Sequence, residues 1–101
     1  MIDLRPDCLE IVKGILRKYV PGVPVWAFGS RVTGPVKAHS DLDLALITKS
    51  PLDWKTRMAL EEDLSESDLP IRVDLVDWAE TGEEFRNLIR RQHEVLQQGM
   101  P

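Results

Sequence analysis

Residues 25–47 read VWAFGSRVTGPVKAHSDLDLALI, and this stretch decides how the chain is expected to fold. Val25–Phe28 is short, apolar and rich in residues that favour extended backbone, so it predicts a first strand. It runs directly into Gly29-Ser30, and a single helical turn is expected just after that pair. Residues 41–47 alternate polar and apolar side chains before becoming wholly apolar, which predicts a second strand.

Two helices are predicted to flank this stretch. In residues 6–19, apolar side chains recur at spacings of three and four, and Pro21-Gly22 lies beyond the end of the pattern. The next helix is predicted to begin at Ser50, because Pro51 suits the first helical position and Asp53 completes a capping box. This helix is expected to run to about residue 66.

The C-terminal third of the sequence adds a strand and a last helix. Residues 71–76 predict the third strand, with apolar side chains on one face. Thr81-Gly82-Glu83-Glu84 predicts the start of the last helix, and Gly99 lies just past its expected end. The buried face of this helix is expected to consist of Phe85, Leu88, Ile89 and Leu96.

These elements predict one small α/β (α+β) domain covering residues 1–101. The connection between the first two strands is short, so the sheet is expected to be mixed and not purely parallel. A chain of 101 residues is too short for an enzyme in which one domain brings the nucleotide and another brings the acceptor.

The charge of the chain limits the partners it can have. Lys and Arg number 13 against 17 Asp and Glu, which gives a net charge of −4, so binding to nucleic acid through bulk electrostatics is not expected. A bound phosphate must instead be held by a local device, such as backbone N–H groups or a metal ion. The single cysteine, Cys8, excludes an internal disulfide. Without an apolar run of membrane length or a signal peptide, the chain is expected to be cytoplasmic and not membrane-bound.

Two carboxylates in the second strand point to metal chemistry. The period of two in a strand places Asp41 and Asp43 on one face and Leu42 on the other. Two carboxylates this close repel each other unless a cation lies between them. An all-oxygen ligand set selects a hard ion, and Mg²⁺ typically adds water and substrate phosphates to one or two carboxylates.

A third carboxylate is expected on the same face. In the third strand, Arg72 and Asp74 alternate with the apolar residues, so Asp74 stands with Asp41 and Asp43 if the apolar faces of both strands meet the helices. Three carboxylates could hold two metal ions, or Asp74 could deprotonate an attacking hydroxyl. Phosphoryl or nucleotidyl transfer needs little more than this, because its catalysis is mostly positioning and charge stabilisation.

This spacing resembles the minimal nucleotidyltransferases of the DNA polymerase beta superfamily, whose signature is Gly-Ser, ten residues, then Asp-any-Asp. Here Gly29-Ser30 is followed by residues 31–40 and then by Asp41-Leu42-Asp43. The family's third carboxylate typically lies in a Val-Asp-Leu strand, which Val73-Asp74-Leu75 matches. The resemblance covers nearly the whole chain. It implies a nucleotidyltransferase fold, in which a mixed sheet carries the site on one face and helices pack mainly on the other.

The resemblance also implies roles for the motif residues. Asp41 and Asp43 would be ligands of one or two Mg²⁺ ions, and Asp74 would be a third ligand or the base. Gly29-Ser30 would lie at the phosphates of the nucleotide.

Residues between the two halves of the motif are less clearly assigned. Arg31 is either a ligand of the triphosphate or a surface arginine. Ser40 is either a turn or cap residue, which we favour, or a residue that contacts the metal or the nucleotide. Lys37 and His39 are expected to be exposed loop residues.

As a small member of the family, this chain resembles MntA-type antitoxins. In that group the nucleotidyltransferase silences a HEPN ribonuclease toxin by transferring AMP to it from ATP. The resemblance therefore implies an ATP- and Mg²⁺-dependent protein adenylyltransferase, acting as a type VII-like antitoxin on a HEPN partner. A homodimer or a hetero-oligomer would be compatible with this function.

Two alternatives remain open at this stage. The chain could transfer a nucleotide to a small molecule such as an aminoglycoside, although such enzymes usually carry an added helical domain for the acceptor. It could also be a non-catalytic antitoxin that blocks its toxin by contact alone.

Overall fold

A computed structural model describes residues 2–35 and 40–99, and the expectations for Lys37 and His39 lie outside this range. None of the helices in the described part is long and apolar enough to cross a membrane. The helices are α1 (Pro6–Tyr19), α2 (Ser30–Thr33), α3 (Trp54–Glu66) and α4 (Glu83–Arg91), with a 3₁₀ turn at Trp78–Glu80. The strands are β1 (Val25–Phe28), β2 (Leu42–Leu46), β3 (Val73–Asp77) and β4 (Glu94–Gln97).

The strands form one mixed sheet in the order β3-β2-β1-β4, which confirms the predicted mixed topology. Strand β1 pairs antiparallel with both β2 and β4, whereas β2 and β3 run parallel. The parallel pair requires a crossover connection, and α3 supplies it between β2 and β3. Strands β1 and β2 are therefore central, and β3 and β4 are the edges.

The main core lies on the leucine face of the sheet. Leu42, Leu44 and Leu46 of β2 are completely buried there. Helices α1 and α3 cover this face and contribute Val12, Leu16, Leu60 and Leu64 to the same cluster. Burying a leucine stabilises the fold by about 1.5–3 kcal/mol, so this alternation is enough to determine which way β2 faces.

A second, smaller core covers part of the opposite face. Phe28, Ala45 and Trp78 pack there against Ile89 of α4. The register pairs Phe28 with Asp43, and directly paired residues in a sheet project to the same side. Helix α4 therefore packs on the same face as Asp43. The helices α1 and α3 thus lie on the leucine face, as expected, and α4 lies on the opposite face.

The prediction that the last helix reaches almost to Gly99 is wrong. Helix α4 ends at Arg91, and the chain then forms β4 along β1. His93 stacks on Trp26 with ring centroids 4.0 Å apart, and the Gln97 amide donates to the main-chain carbonyls of Val20 and Val23. Residues 94–97 thus form a strand and do not extend the helix, because pairing with β1 gives hydrogen-bond partners to the backbone groups on that side of β1.

The predicted start of α3 at Ser50 is also wrong. The N-cap is Asp53, whose carboxylate accepts from the Thr56 N–H at 3.3 Å. The Leu52 N–H donates to Asp77 at 2.7 Å, which ties the preceding segment to the end of β3. This tertiary contact keeps residues 50–53 out of the helix, although their local pattern favours one.

Candidate active site

Gly29 forms the turn between β1 and α2 and lies against a carboxylate of the neighbouring strand. It has a φ of 80°, which side chains with a Cβ rarely adopt. A Cβ added there would run into the carboxylate of Asp43. The carbonyl of Gly29 accepts the N–H groups of Val32 and Thr33, both at 3.0 Å, and so begins α2. The glycine is therefore required both for the turn and for the close approach of Asp43.

The register of the sheet brings Asp43 and Asp74 together. They are direct partners in the parallel ladder between β2 and β3. Asp41 lies one residue before β2, and the Leu42 N–H beside it donates to the Arg72 carbonyl at 2.9 Å. All three carboxylates are half-buried. The structure therefore places them at one end of the sheet, while the roles assigned to them stay predictions.

The electrostatics of this cluster centre on Asp43. Burial, and then the charges of Asp74 and Asp41, raise the pKa of the Asp43 carboxyl above its ordinary value of 3.8. Arg72 partly offsets the excess negative charge, because its guanidinium contacts the Asp74 carboxylate at 3.1 and 3.3 Å. Hydrogen bonding and attraction to Asp74 raise the pKa of Arg72 in turn. The site thus has a surplus of negative charge that a cation would relieve.

Whether these residues fit Mg²⁺ can be judged from their chemistry. Within residues 2–35 and 40–99, no three histidine, cysteine, aspartate or glutamate side chains form a complete metal-binding cluster. Mg²⁺, however, usually takes only one or two carboxylates and completes its octahedron with water and substrate phosphates. The repulsion felt by Asp43 points to the same requirement for a cation. The oxygen donors of Asp41 and Asp43 therefore fit Mg²⁺ in the presence of a nucleotide.

Asp77, the other acid near the third strand, is excluded from this cluster by the register. It lies on the leucine side of β3 and is only 4% exposed. Its carboxylate accepts hydrogen bonds from the Thr48 hydroxyl and from the N–H groups of Leu52 and Ala79. Asp77 is therefore a structural residue that ties β3 to the segments before α3.

Arg31 is 7% exposed, in contrast to the surface position that was one of its two expected environments. Its Nε donates to the Ser40 carbonyl at 3.0 Å, and a terminal nitrogen donates to the Asp3 carbonyl at 2.8 Å. Arg31 thus holds the chain just before Asp41 against α2. The structure supports a positioning role for Arg31, and contact of Arg31 or Ser40 with the nucleotide stays a prediction.

The sequence reasoning misplaced two apolar residues beside the site. Phe85 and Leu88 were expected on the buried face of the last helix, but they are 40% and 59% exposed. Together with Phe28 and Gly29 they line a groove of about 510 Å³. Their helical spacing predicted an apolar face correctly, but it could not show that this face borders an open groove.

A mixed four-stranded sheet with a glycine turn against paired carboxylates is the arrangement expected of a nucleotidyltransferase fold. The family model for polymerase beta nucleotidyltransferases matches residues 10–99. The chain belongs to this family.

Similar proteins extend the comparison. The probable protein adenylyltransferase MntA of Haemophilus influenzae (strain ATCC 51907 / DSM 11121 / KW20 / Rd) is 55% identical over 97 residues, which cover 96% of this chain and 85% of that protein. A solved toxin–antitoxin structure with AMP-PNP has a TM-score of 0.74 at 27% identity, covering 91% of this chain and 74% of the other. A mutant MntA–HpeT toxin–antitoxin structure has a TM-score of 0.71 at 30% identity, covering 96% and 75%. The chain is therefore a homologue of MntA-type adenylyltransferases.

Proposed function

We propose that this chain is a Mg²⁺-dependent protein adenylyltransferase that moves AMP from ATP to a hydroxyl of a HEPN toxin and so acts as its antitoxin. The observation that carries the proposal is the pairing of Asp43 with Asp74 beside the Gly29 turn. Support for the acceptor class comes from the 55% identity to an MntA adenylyltransferase and from the fold shared with toxin–antitoxin proteins.

In the proposed reaction, the carboxylates of Asp41 and Asp43 would hold Mg²⁺ when ATP is bound. The bound ion supplies positive charge that stabilises the charge developing on the transferred phosphate. The backbone N–H groups at the start of α2, next to Gly29-Ser30, bind the outer phosphates, because the first N–H groups of a helix have no partner within it.

Asp74 acts as the base in this reaction. It accepts the proton of the acceptor hydroxyl, whose oxygen forms a bond to the α-phosphorus. The bond between that phosphorus and the bridging oxygen of the β-phosphate breaks, and pyrophosphate leaves. The ion pair with Arg72 orients the Asp74 carboxylate, and the Arg72 side chain is 75% exposed and so accessible to an incoming acceptor.

The order of the strands separates the acceptor from the leaving group. Asp74 lies on β3, on one side of Asp43, and Gly29 follows β1, on the other side. In-line displacement requires the attacking and leaving oxygens to lie on opposite sides of the phosphorus. We propose that the acceptor enters over β3 and that residues 1–101 act as a single nucleotidyltransferase domain whose acceptor is supplied by another chain.

Transfer of label from α-³²P-ATP tests this proposal. The purified chain, Mg²⁺ and a HEPN toxin encoded beside it should yield labelled toxin, and an Asp43→Asn variant should yield at least a hundredfold less. An aminoglycoside such as kanamycin serves as a competing acceptor, and label on it alone would overturn the protein-acceptor proposal. Full neutralisation of the toxin by the Asp43→Asn variant would instead establish inhibition by contact.

A further inference from the structure

The groove beside Gly29 is lined mostly by residues that take no part in the reaction described above. Phe28 and Gly29 line it at the end of β1, and Phe85, Leu88 and Ile89 line it from α4. Its volume of about 510 Å³ lies within the range of about 300–1,000 Å³ that is typical of small-molecule sites. We refer to it as the Phe85 groove.

The Phe85 groove directly adjoins the proposed reaction centre. Phe28 is paired with Asp43 in the register of β1 and β2, so both side chains project to the same side of the sheet. Asp74 flanks Asp43 on the opposite strand. The Phe85 groove and Asp74 therefore lie on opposite sides of Asp43.

This arrangement decides which reactant the groove receives. If Asp74 activates the acceptor over β3, the groove on the β1 side belongs to the nucleotide, whose phosphates lie at the Gly29 turn. We propose that the Phe85 groove holds the purine base of the nucleoside triphosphate. This inference rests on the proposed function, because it uses the assignment of the acceptor side.

The lining of the groove suits a planar, partly polar ring. Phe28 and Phe85 meet edge to face, with centroids 5.6 Å apart and an interplanar angle of 81°. The exposed parts of Phe85 and Leu88 offer an apolar surface on which a base can stack. An apolar wall with few polar groups is typical of ligand sites, whereas a phosphate alone would not need it.

Polar groups of the lining could read the edge of the base. Thr33 and Gln92 both line the groove. A carboxamide presents a donor and an acceptor side by side, which matches the amino group at N6 and the acceptor N7 of adenine, whereas on the same edge guanine presents two acceptors, O6 and N7. Gln92, reading this N7 edge, gives the preference for adenine, and Phe85 provides base stacking.

Binding to the full chain with Mg²⁺ tests this assignment, using adenosine α,β-methylene triphosphate and inorganic tripolyphosphate as probes in calorimetry. Phe85→Ala should weaken binding of the nucleotide analogue about tenfold, as expected for the loss of one stacking contact, and leave tripolyphosphate binding unchanged. Leu88→Ala should act in the same direction by a few-fold. Trp54→Ala is the matched control, because Trp54 is an aromatic residue 64% exposed on α3.

Gln92→Ala provides a separate test of base preference. It should reduce the ratio of affinities for the adenosine and guanosine α,β-methylene triphosphates several-fold and leave tripolyphosphate binding unchanged. An unchanged ratio would overturn the role of Gln92. Thermal unfolding of each variant checks that it is folded under the conditions of the binding measurement.

Three results would overturn the base site. The first is normal binding of the analogue by both Phe85→Ala and Leu88→Ala, and the second is an equal loss of analogue and tripolyphosphate binding in both variants. The third is a loss, in both variants, of association with the HEPN toxin alone. The last result would make the groove a protein-docking surface. Failure of the proposed function gives a different result. If the wild-type chain binds the analogue through Phe85 but labels no toxin, the base site stands and the transferase function is wrong.

Discussion

Asp43 of β2 and Asp74 of β3 are direct partners in a parallel ladder, and burial, followed by the charge of Asp74, raises the pKa of the Asp43 carboxyl. An acid whose pKa is raised on folding destabilises the fold when it is ionised. This cost is absent below the unfolded pKa of about 3.8 and grows as the pH rises through the higher pKa of the folded state. The ionised carboxylates thus lower the stability of the fold, and a bound cation would remove this effect.

Asp43→Asn should therefore stabilise the chain in EDTA at neutral pH by a few degrees in Tm, because asparagine carries no charge. The advantage over the wild type should shrink as the pH is lowered toward 4 and should also shrink when Mg²⁺ is added with nucleotide. Urea unfolding of both proteins from pH 4 to pH 7 measures this difference in stability. Asp68→Asn, at an exposed loop position, is the control, and an equal pH dependence in both variants would contradict the prediction.

Gly29→Ala should abolish transfer, whereas Gly34→Ala should not. Both glycines have a positive φ, of 80° and 65°, so either alanine should cost about 1–2 kcal/mol of stability. Only at Gly29 does a Cβ meet Asp43, while at Gly34 nothing among residues 2–35 and 40–99 lies within 4 Å of one. Displacement of a reactive group by about 1 Å lowers rates about a hundredfold. Equal loss of label transfer in both variants would show that backbone strain, and not the position of Asp43, is responsible.

Arg31→Ala should destabilise the fold by about 2 kcal/mol or more, because two main-chain carbonyls lose a charged donor at a buried site. For a domain of this size that corresponds to a fall in Tm of about 10 °C. Alanine at Arg17, an exposed position near the end of α1, should have little effect and is the control. A raised KM for ATP with unchanged stability would instead identify Arg31 as a triphosphate ligand.

Asp77→Ala and Asp74→Ala should have opposite consequences, although both remove an acid from β3. Asp77 accepts three hydrogen bonds while buried, so its loss should cost about 3 kcal/mol and leave transfer by the folded fraction unchanged. Asp74 is half-exposed, so its loss should change stability little and abolish labelling of the toxin. Chemical denaturation and label transfer, measured on both variants, separate the two roles. Retained transfer without Asp74 would remove it as the base.

The residues of the candidate site could be predicted from the sequence because the pattern that identifies them is short-range. A glycine before a helical turn, and two acids separated by one residue on a strand, indicate phosphate and metal binding wherever the fold places them. The alternation of Leu42, Leu44 and Leu46 with Asp41 and Asp43 also predicted which face of β2 would be buried.

The errors arose where distant contacts override local patterns. The segment after α4 fits a helix by periodicity, but β1 offers it unpaired backbone groups and Trp26 offers a stacking surface for His93. Ser50 fits an N-cap, but Asp77 binds the N–H of Leu52 and delays the helix. Neither partner is near in sequence, so no local window could show the competition.

The sequence by itself thus determined which residues are candidates for the site, the mixed sheet and the face on which the carboxylates lie, because these follow from residue type and period. The alternation in the third strand already predicted Asp74 on the face of Asp43, but only the tertiary structure decided that the two are direct cross-strand partners, because that depends on the parallel register of β3 against β2. The tertiary structure likewise decided that Phe85 borders a groove beside Gly29, since this depends on where α4 crosses the sheet.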